Sequence, residues 1–175
     1  RGYDIDVAVE SDALREIAQQ ACDEKTGARG LMTVLERSLR DFKFYLPGTD
    51  VKEFAITADL IRDPRSVLKS LLESPTGASE AYARAAVREW EEAFADAHGV
   101  RLVLDEQAAV MAFGVSKQLE RTLWEHLDAT FGDHKDFLRK ILEKSGRSEL
   151  PVTPHILNNP AEGLELWLTS QAKKG

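Results

Sequence analysis

The sequence predicts an α+β fold, predominantly helical, made of two related strand-helix-helix-strand units. Three observations predict it. Ile5, Val7 and Val9 alternate with Asp6, Ala8 and Glu10, which is the pattern of a half-buried strand. Apolar residues then recur at helical spacing, first around Ile17 and then from Leu31 to Phe42, on either side of a glycine-containing turn. The same order of strand, helices and returning strand is met again beyond Val100.

Each element of the first half follows from local chemistry. Ser11 or Asp12 can cap a helix whose predicted inward stripe is Leu14, Ile17, Ala18 and Ala21. Gly27 turns the chain, and Leu31, Val34, Leu35, Leu39 and Phe42 form the stripe of a second helix that Leu46-Pro47-Gly48 ends. Phe54-Ala55-Ile56-Thr57 reads as the returning strand. Pro64, placed where a missing N–H costs nothing, starts a further helix through Val67, Leu68, Leu71 and Leu72. The stretch Ser74 to Ser79, with Pro75 and Gly77, is the expected joint, so the domains are drawn at 1–74 and 75–175. The second of these opens on a linking helix with Ala83, Val87, Trp90, Phe94 and Ala97 on one face.

The second half reads as a copy. Val100 through Ala108 echoes Ile5 through Ala13, and Leu150-Pro151-Val152-Thr153 followed by Pro160 echoes Phe54-Ala55-Ile56-Thr57 followed by Pro64. Between these anchors two registers compete. One sets Phe113 against Arg29 and the other sets Asp136 there, so in both the copy lacks the arginine. Residue pairing between Ala109 and Gly146 stays open.

Composition narrows the function classes. A 175-residue chain with 43% hydrophobic and 30% charged residues can fill one core or two small ones. Its formal net charge of −7 argues against a nucleic-acid backbone as main partner. No apolar run approaches the length of a membrane span and no signal peptide is visible, so a soluble, cytoplasmic protein is expected. Cys22 alone excludes an internal disulfide and is expected as a small buried thiol. His98, His126, His134 and His155 have no second donor at ligand spacing on one helix, so no metal site is predicted. No catalytic group is predicted either. Trp90, Trp124 and Trp167 read as core or interface anchors.

One turn carries chemistry. In Lys25-Thr26-Gly27-Ala28-Arg29-Gly30-Leu31 two glycines frame an arginine at the start of a helix. Free N–H groups and the positive end of the helix dipole favour an anion there, and a guanidinium adds planar donors for phosphate oxygens. The alternative is a surface arginine paired with Asp23 or Glu24. Together with Val7 through Leu14, Val34-Leu35-Glu36-Arg37 and Leu46-Pro47-Gly48, this turn resembles the small C-terminal subdomain of AAA+ unfoldases of the ClpX and HslU kind. The resemblance covers about the first seventy residues in order, which makes it more specific than a triplet.

The resemblance implies that Gly27, Ala28 and Arg29 form the sensor-2 element, which contacts the phosphates of ATP held by a preceding large domain of the same or a neighbouring subunit. It implies a homo-hexameric parent that unfolds or remodels proteins as a Clp-protease-type regulatory subunit, with a peptidase or adaptor as further partner. Membranes and nucleic acid are not implied. No Gly-x-x-x-x-Gly-Lys-Ser/Thr motif occurs, so magnesium and the phosphate cradle would come from the missing large domain and the chain alone is expected to be inactive. It begins at Arg1 without a methionine, as expected of a C-terminal fragment cut at a domain boundary. The competing reading is a non-catalytic interaction or oligomerisation module with a vestigial sensor arginine.

Overall fold

Two short strands, β1 (Asp6–Val9) and β2 (Glu53–Ile56), pair in parallel with Val7 opposite Phe54. Parallel pairing needs a long crossover. Here it is an αα-hairpin of α1 (Ser11–Asp23) and α2 (Ala28–Tyr45). After β2 the chain makes a single helical turn, α3 (Ala58–Arg62), and then α4 (Pro64–Glu73). Thr57 caps α3 by accepting the Leu60 N–H, and Asp63 caps α4 by accepting the Ser66 N–H with Pro64 in the first turn. In this computed structural model, residues 5–25 and 27–172 are described, and the chain divides into unit 1, Arg1–Ala85, and unit 2, Ala86–Gly175. The boundary falls inside one helix, α5 (Pro75–His98).

The core of unit 1 gathers Ile17, Val34, Phe42, Phe54, Ile56 and Leu60, with the rings of Phe42 and Phe54 stacked 5.5 Å apart. Glu53 is buried in β2, but its carboxylate accepts the Ser79 hydroxyl at 2.6 Å, so the buried group is satisfied. Several expected faces are corrected. The inner row of α1 is Ala13, Ile17 and Ala21, while Leu14 is 58% exposed and Ala18 also faces out. Spacing alone fits either of two adjacent rows, and the small Ala13 takes the position of closest packing. In β1 the buried residue is Ala8 and Val7 is 45% exposed, since alternation fixes that the two face apart and not which one faces the core. Cys22 and Ala97 are exposed, and Leu31 is 41% exposed.

Unit 2 repeats this order with one interruption. β3 (Leu102–Leu104) pairs in parallel with β4 (Leu150–Val152), Leu102 opposite Leu150. Between them run α6 (Glu106–Gln118), α7 (Leu123–Phe131), a 3-10 turn at Gly132–His134 and α8 (Lys135–Ser145). α9 (Pro154–Asn158) and α10 (Pro160–Ala172) follow. The end of the repeat matches to the level of dihedral angles. Asp63 stands at φ −137°, ψ 76° and Asn159 at φ −138°, ψ 79°, each before a proline that opens a helix. Thr57 and Thr153 both cap the helical turn between.

This geometry settles the register that the sequence left open. α1 and α6 are both 13 residues long, and the residues after their C-caps, Lys25 (φ 53°) and Glu120 (φ 51°), are both left-handed. α6 is therefore the counterpart of α1, and Phe113 lies inside it, where it cannot stand for Arg29. Gly30, Val34 and Ser38 are buried along α2 at the four-residue spacing of Leu123, Leu127 and Phe131 along α7. Phe42 then corresponds to Leu138, once the inserted Gly132–His134 turn is passed. A local motif confirms the last step: Thr49 Oγ1 donates to Leu46 O and accepts from Val51 N, as Ser145 Oγ donates to Leu142 O and accepts from Arg147 N. Asp136 belongs to the first turn of α8, ion-paired with Arg139 at 3.8 Å, and is no counterpart of Arg29 either. Both proposed registers were wrong because a loop deletion and a mid-helix insertion nearly cancel in length.

Candidate functional site

The turn between α1 and α2 is held by side chains on its flanks. Arg37 of α2 reaches back to the end of α1, donating to Glu24 at 2.8 Å and to Gln20 at 3.2 Å. Asp23 accepts a hydrogen bond from Gln19 at 2.9 Å. The two carboxylates that could have claimed Arg29 thus have other partners. Among the described residues Arg29 has no ion pair, and it lies exposed as the second residue of α2. The clamp by Arg37 was not read from the sequence. Its only signal there is a basic residue far along one arm of a hairpin and an acid at the other arm's end.

Gly27 is the N-cap residue of α2, at φ 59° and ψ −149°, a backbone region open in practice to glycine alone. It offers no side chain to the first-turn N–H groups, and no acidic residue stands in that turn. The helix start is therefore electropositive and open, with a guanidinium beside it. Ala28 is exposed, adding no bulk. Thr26 lies outside the described residues.

The corresponding place in unit 2 is closed from within. Four residues, Thr26 to Arg29, separate Lys25 from Gly30, whereas only Arg121 and Thr122 separate Glu120 from Leu123. Thr122 accepts the Glu125 N–H at 3.2 Å, and the Glu125 carboxylate takes the Thr122 N–H at 2.9 Å, a complete capping box. Those bonds from Thr122 hold the Glu125 carboxyl below its ordinary range. Unit 2 thus places its own anion at the helix start, whereas in unit 1 no acidic residue stands in the first turn and the N-cap residue makes no side-chain cap bond.

Among the described residues no cluster of His, Cys, Asp and Glu could hold a metal ion, and no helix is long and apolar enough to cross a membrane.

Residues 1–42 match the family described as the C-terminal, D2-small domain, of ClpB protein. The chain is also similar to proteins named ATP-dependent Clp protease ATP-binding subunit ClpX. The similarity is 40% identity over 58 residues for Borrelia duttonii and for Borrelia recurrentis, covering 33% of this chain and 14% of each relative. For Treponema denticola it is 38% over 74 residues, covering 41% of this chain and 18% of the relative. No solved structure gives a significant match. The chain thus spans under a fifth of the length of these relatives, and the matching region is similar to a small C-terminal AAA+ subdomain of the ClpX-like type.

Proposed function

We propose, from that match of the first unit, that the chain is the C-terminal part of a ClpX-like AAA+ ATPase that unfolds or remodels proteins. In this reading unit 1 is the lid through which the state of bound ATP is sensed. Gly27 and Ala28 shape the turn, and Arg29 donates to the phosphates of ATP cradled on a large domain of the same or a neighbouring subunit. ATP with its magnesium supplies the hydrolysable bond, and this chain contributes one charge-assisted contact to it. Unit 2, whose equivalent helix start is capped by Thr122 and Glu125 with Arg121 just before the cap, serves contacts between subunits or with a peptidase, adaptor or substrate. A hexameric, cytoplasmic parent goes with this reading.

The observation that carries it is the contrast between the two helix starts. The N-terminus of α7 is satisfied by Glu125, whereas that of α2 is uncapped and carries an arginine free of carboxylates among the described residues. The test is Arg29→Ala in the full-length parent. Turnover should fall roughly 100- to 1000-fold, the equivalent of about 2.7–4 kcal/mol for one donor at a developing phosphate charge. The melting temperature should stay put, since Arg29 is exposed and contributes nothing to the core. Wild-type turnover in a folded Arg29→Ala parent would leave the interaction-module reading in possession.

A further inference from the structure

One face of α1 and its C-cap carries a polar row. Glu16, Gln20 and Glu24 stand at four-residue spacing, so their side chains follow one another a turn apart. An arginine from another element closes the row at each end. Arg62 of α3 sets its Nη2 2.7 Å and its Nε 2.9 Å from Oε2 of Glu16. Gln20 Nε2 donates to Oε1 of Glu16 at 3.2 Å, which leaves the amide oxygen of Gln20 to accept from Arg37 Nη2 at 3.2 Å. Arg37 Nη1 then donates to Glu24 at 2.8 Å. Side chains of α1, α2 and α3 thus form one continuous run of polar contacts. It ends on Glu24, the C-cap residue from which the chain turns towards Gly27 and Arg29. Gln20 and Arg62 hold the Glu16 carboxyl below its ordinary range, so the row stays charged at neutral pH.

Unit 2 builds the same framework without this row. By the register established above, Glu16, Gln20 and Glu24 correspond to Met111, Val115 and Leu119, Arg37 to Thr130 and Arg62 to Asn158. The row is apolar there, and Thr130 turns its hydroxyl to the His126 carbonyl of its own helix. Strand pairing is parallel in both units all the same, so the polar row is not what closes the fold. Nor is it a large source of stability, because the side chains of Arg37 and Glu24 are 51% and 36% exposed and ion pairs so exposed contribute little. What separates the units at this place is the turn. In unit 2 it is short and locked by the Thr122–Glu125 capping box. In unit 1 it is two residues longer and its N-cap residue makes no side-chain bond, so it has to be held from its flanks.

We propose that Arg37 is a positioning residue for Arg29, and that the row from Arg62 through Glu16 and Gln20 to Glu24 is the brace that anchors it. This rests on the reading of Arg29 as a phosphate contact. Arg37 follows Arg29 by eight residues of α2, about 12 Å along the axis, so it acts through the turn and not on the phosphate itself. It ties the end of α1 to the body of α2. The segment from Glu24 to Gly27 is thereby pinned at both ends, and the first turn of α2 is kept from fraying with Arg29 on it. Precision matters at such a contact, because a misplacement of about 1 Å can lower a rate roughly 100-fold. An arginine suits the task, since its planar fork reaches Glu24 and Gln20 at once, whereas a lysine ammonium is a single point charge.

The test is a double-mutant cycle on ATP hydrolysis in the full-length parent, with hydrogen exchange of the 175-residue chain beside it. Arg37→Met should lower kcat roughly tenfold or more, and Arg37→Lys should recover part of that loss. In an Arg29→Ala background Arg37→Met should lower kcat no further, because it acts only through that residue. In the 175-residue chain, Arg37→Met should speed amide exchange at Arg29 and Gly30 about fivefold or more, while Val34 and Phe42 keep their protection. The proposal is overturned by wild-type kcat in Arg37→Met, by an equal further loss in the Arg29→Ala background, or by unchanged exchange at the turn. Protection lost throughout unit 1 would make Arg37 a support of the fold and overturn it as well. Wild-type turnover in Arg29→Ala refutes the sensor reading and the brace with it. Reduced turnover in Arg29→Ala beside wild-type turnover in Arg37→Met refutes the brace alone.

Discussion

Gly27 and Glu91 show how single residues set local behaviour in each unit. An added Cβ at Gly27 would meet nothing within 4 Å, so Gly27→Ala is penalised by its backbone alone. A loss of about 1–3 kcal/mol is expected for a non-glycine residue held in that region. Chemical denaturation of unit 1, followed by hydrogen exchange at α2, measures it. Glu91 is half-buried in unit 2, and burial pushes its carboxyl up to about 7, against the opposing effect of the Leu104 N–H and of Arg88 and Arg101. The folded state then keeps a proton that the unfolded chain releases near pH 4.5, so between pH 4.5 and 7 the native state binds more protons. Stability of unit 2 should therefore fall as pH rises through that window. Glu91→Gln keeps an acceptor for Leu104 and removes the charge. Its melting temperature should change less between pH 5 and 8 than that of the parent chain, and a steeper fall in the variant would contradict the assignment.

At the scale of elements, the repeat is kept where it closes the sheet and altered where α2 is replaced by α7, a 3-10 turn and α8. Gly163 shows how tightly the preserved end is packed. A Cβ there would lie 2.9 Å from both the Cα and Cγ1 of Ile156 on α9, and the backbone atom cannot move aside cheaply. Alanine would gain up to about 1 kcal/mol in helix propensity. Overpacking costs typically about 1–3 kcal/mol, so Gly163→Ala should be net destabilising. Urea unfolding followed by tryptophan fluorescence reads this directly, because Trp90, Trp124 and Trp167 all belong to unit 2. A variant as stable as the parent chain would mean that α9 and α10 can separate without loss.

For the whole molecule, the lack of a phosphate-binding loop outweighs any single residue. One exposed arginine and an open helix start can touch a phosphate group but cannot hold a nucleotide or position a nucleophile. The 175-residue chain should thus show no ATP hydrolysis above background and only weak ATP binding. Turnover that persists in a highly purified sample and survives Arg29→Ala would place a nucleotide site elsewhere in these residues. Tryptophan fluorescence should stay silent to unfolding of unit 1 alone, so far-UV circular dichroism and fluorescence together resolve whether the two units melt separately.

The sequence by itself determined the α+β class, the strand positions at Val7 and Phe54, the turn at Gly27 and the presence of a second copy. These rest on local physics: alternation, helical spacing, glycine and proline at turns, and threonine and aspartate at helix starts. Tertiary structure alone decided that Ala8 and Ala13, not Val7 and Leu14, enter the core. The period of a pattern fixes which residues share a face, and only packing against a second element fixes which face is inward. It alone also decided the register of the second copy, because a turn two residues shorter and a helix interrupted by three residues leave similar spacing with different partners. The candidate site divides in the same way. Gly27, Ala28 and Arg29 could be read as a motif. That Arg37 engages Glu24, and that Glu125 fills the matching place in unit 2, depends on side chains brought together across helix hairpins and turns, which no spacing rule encodes.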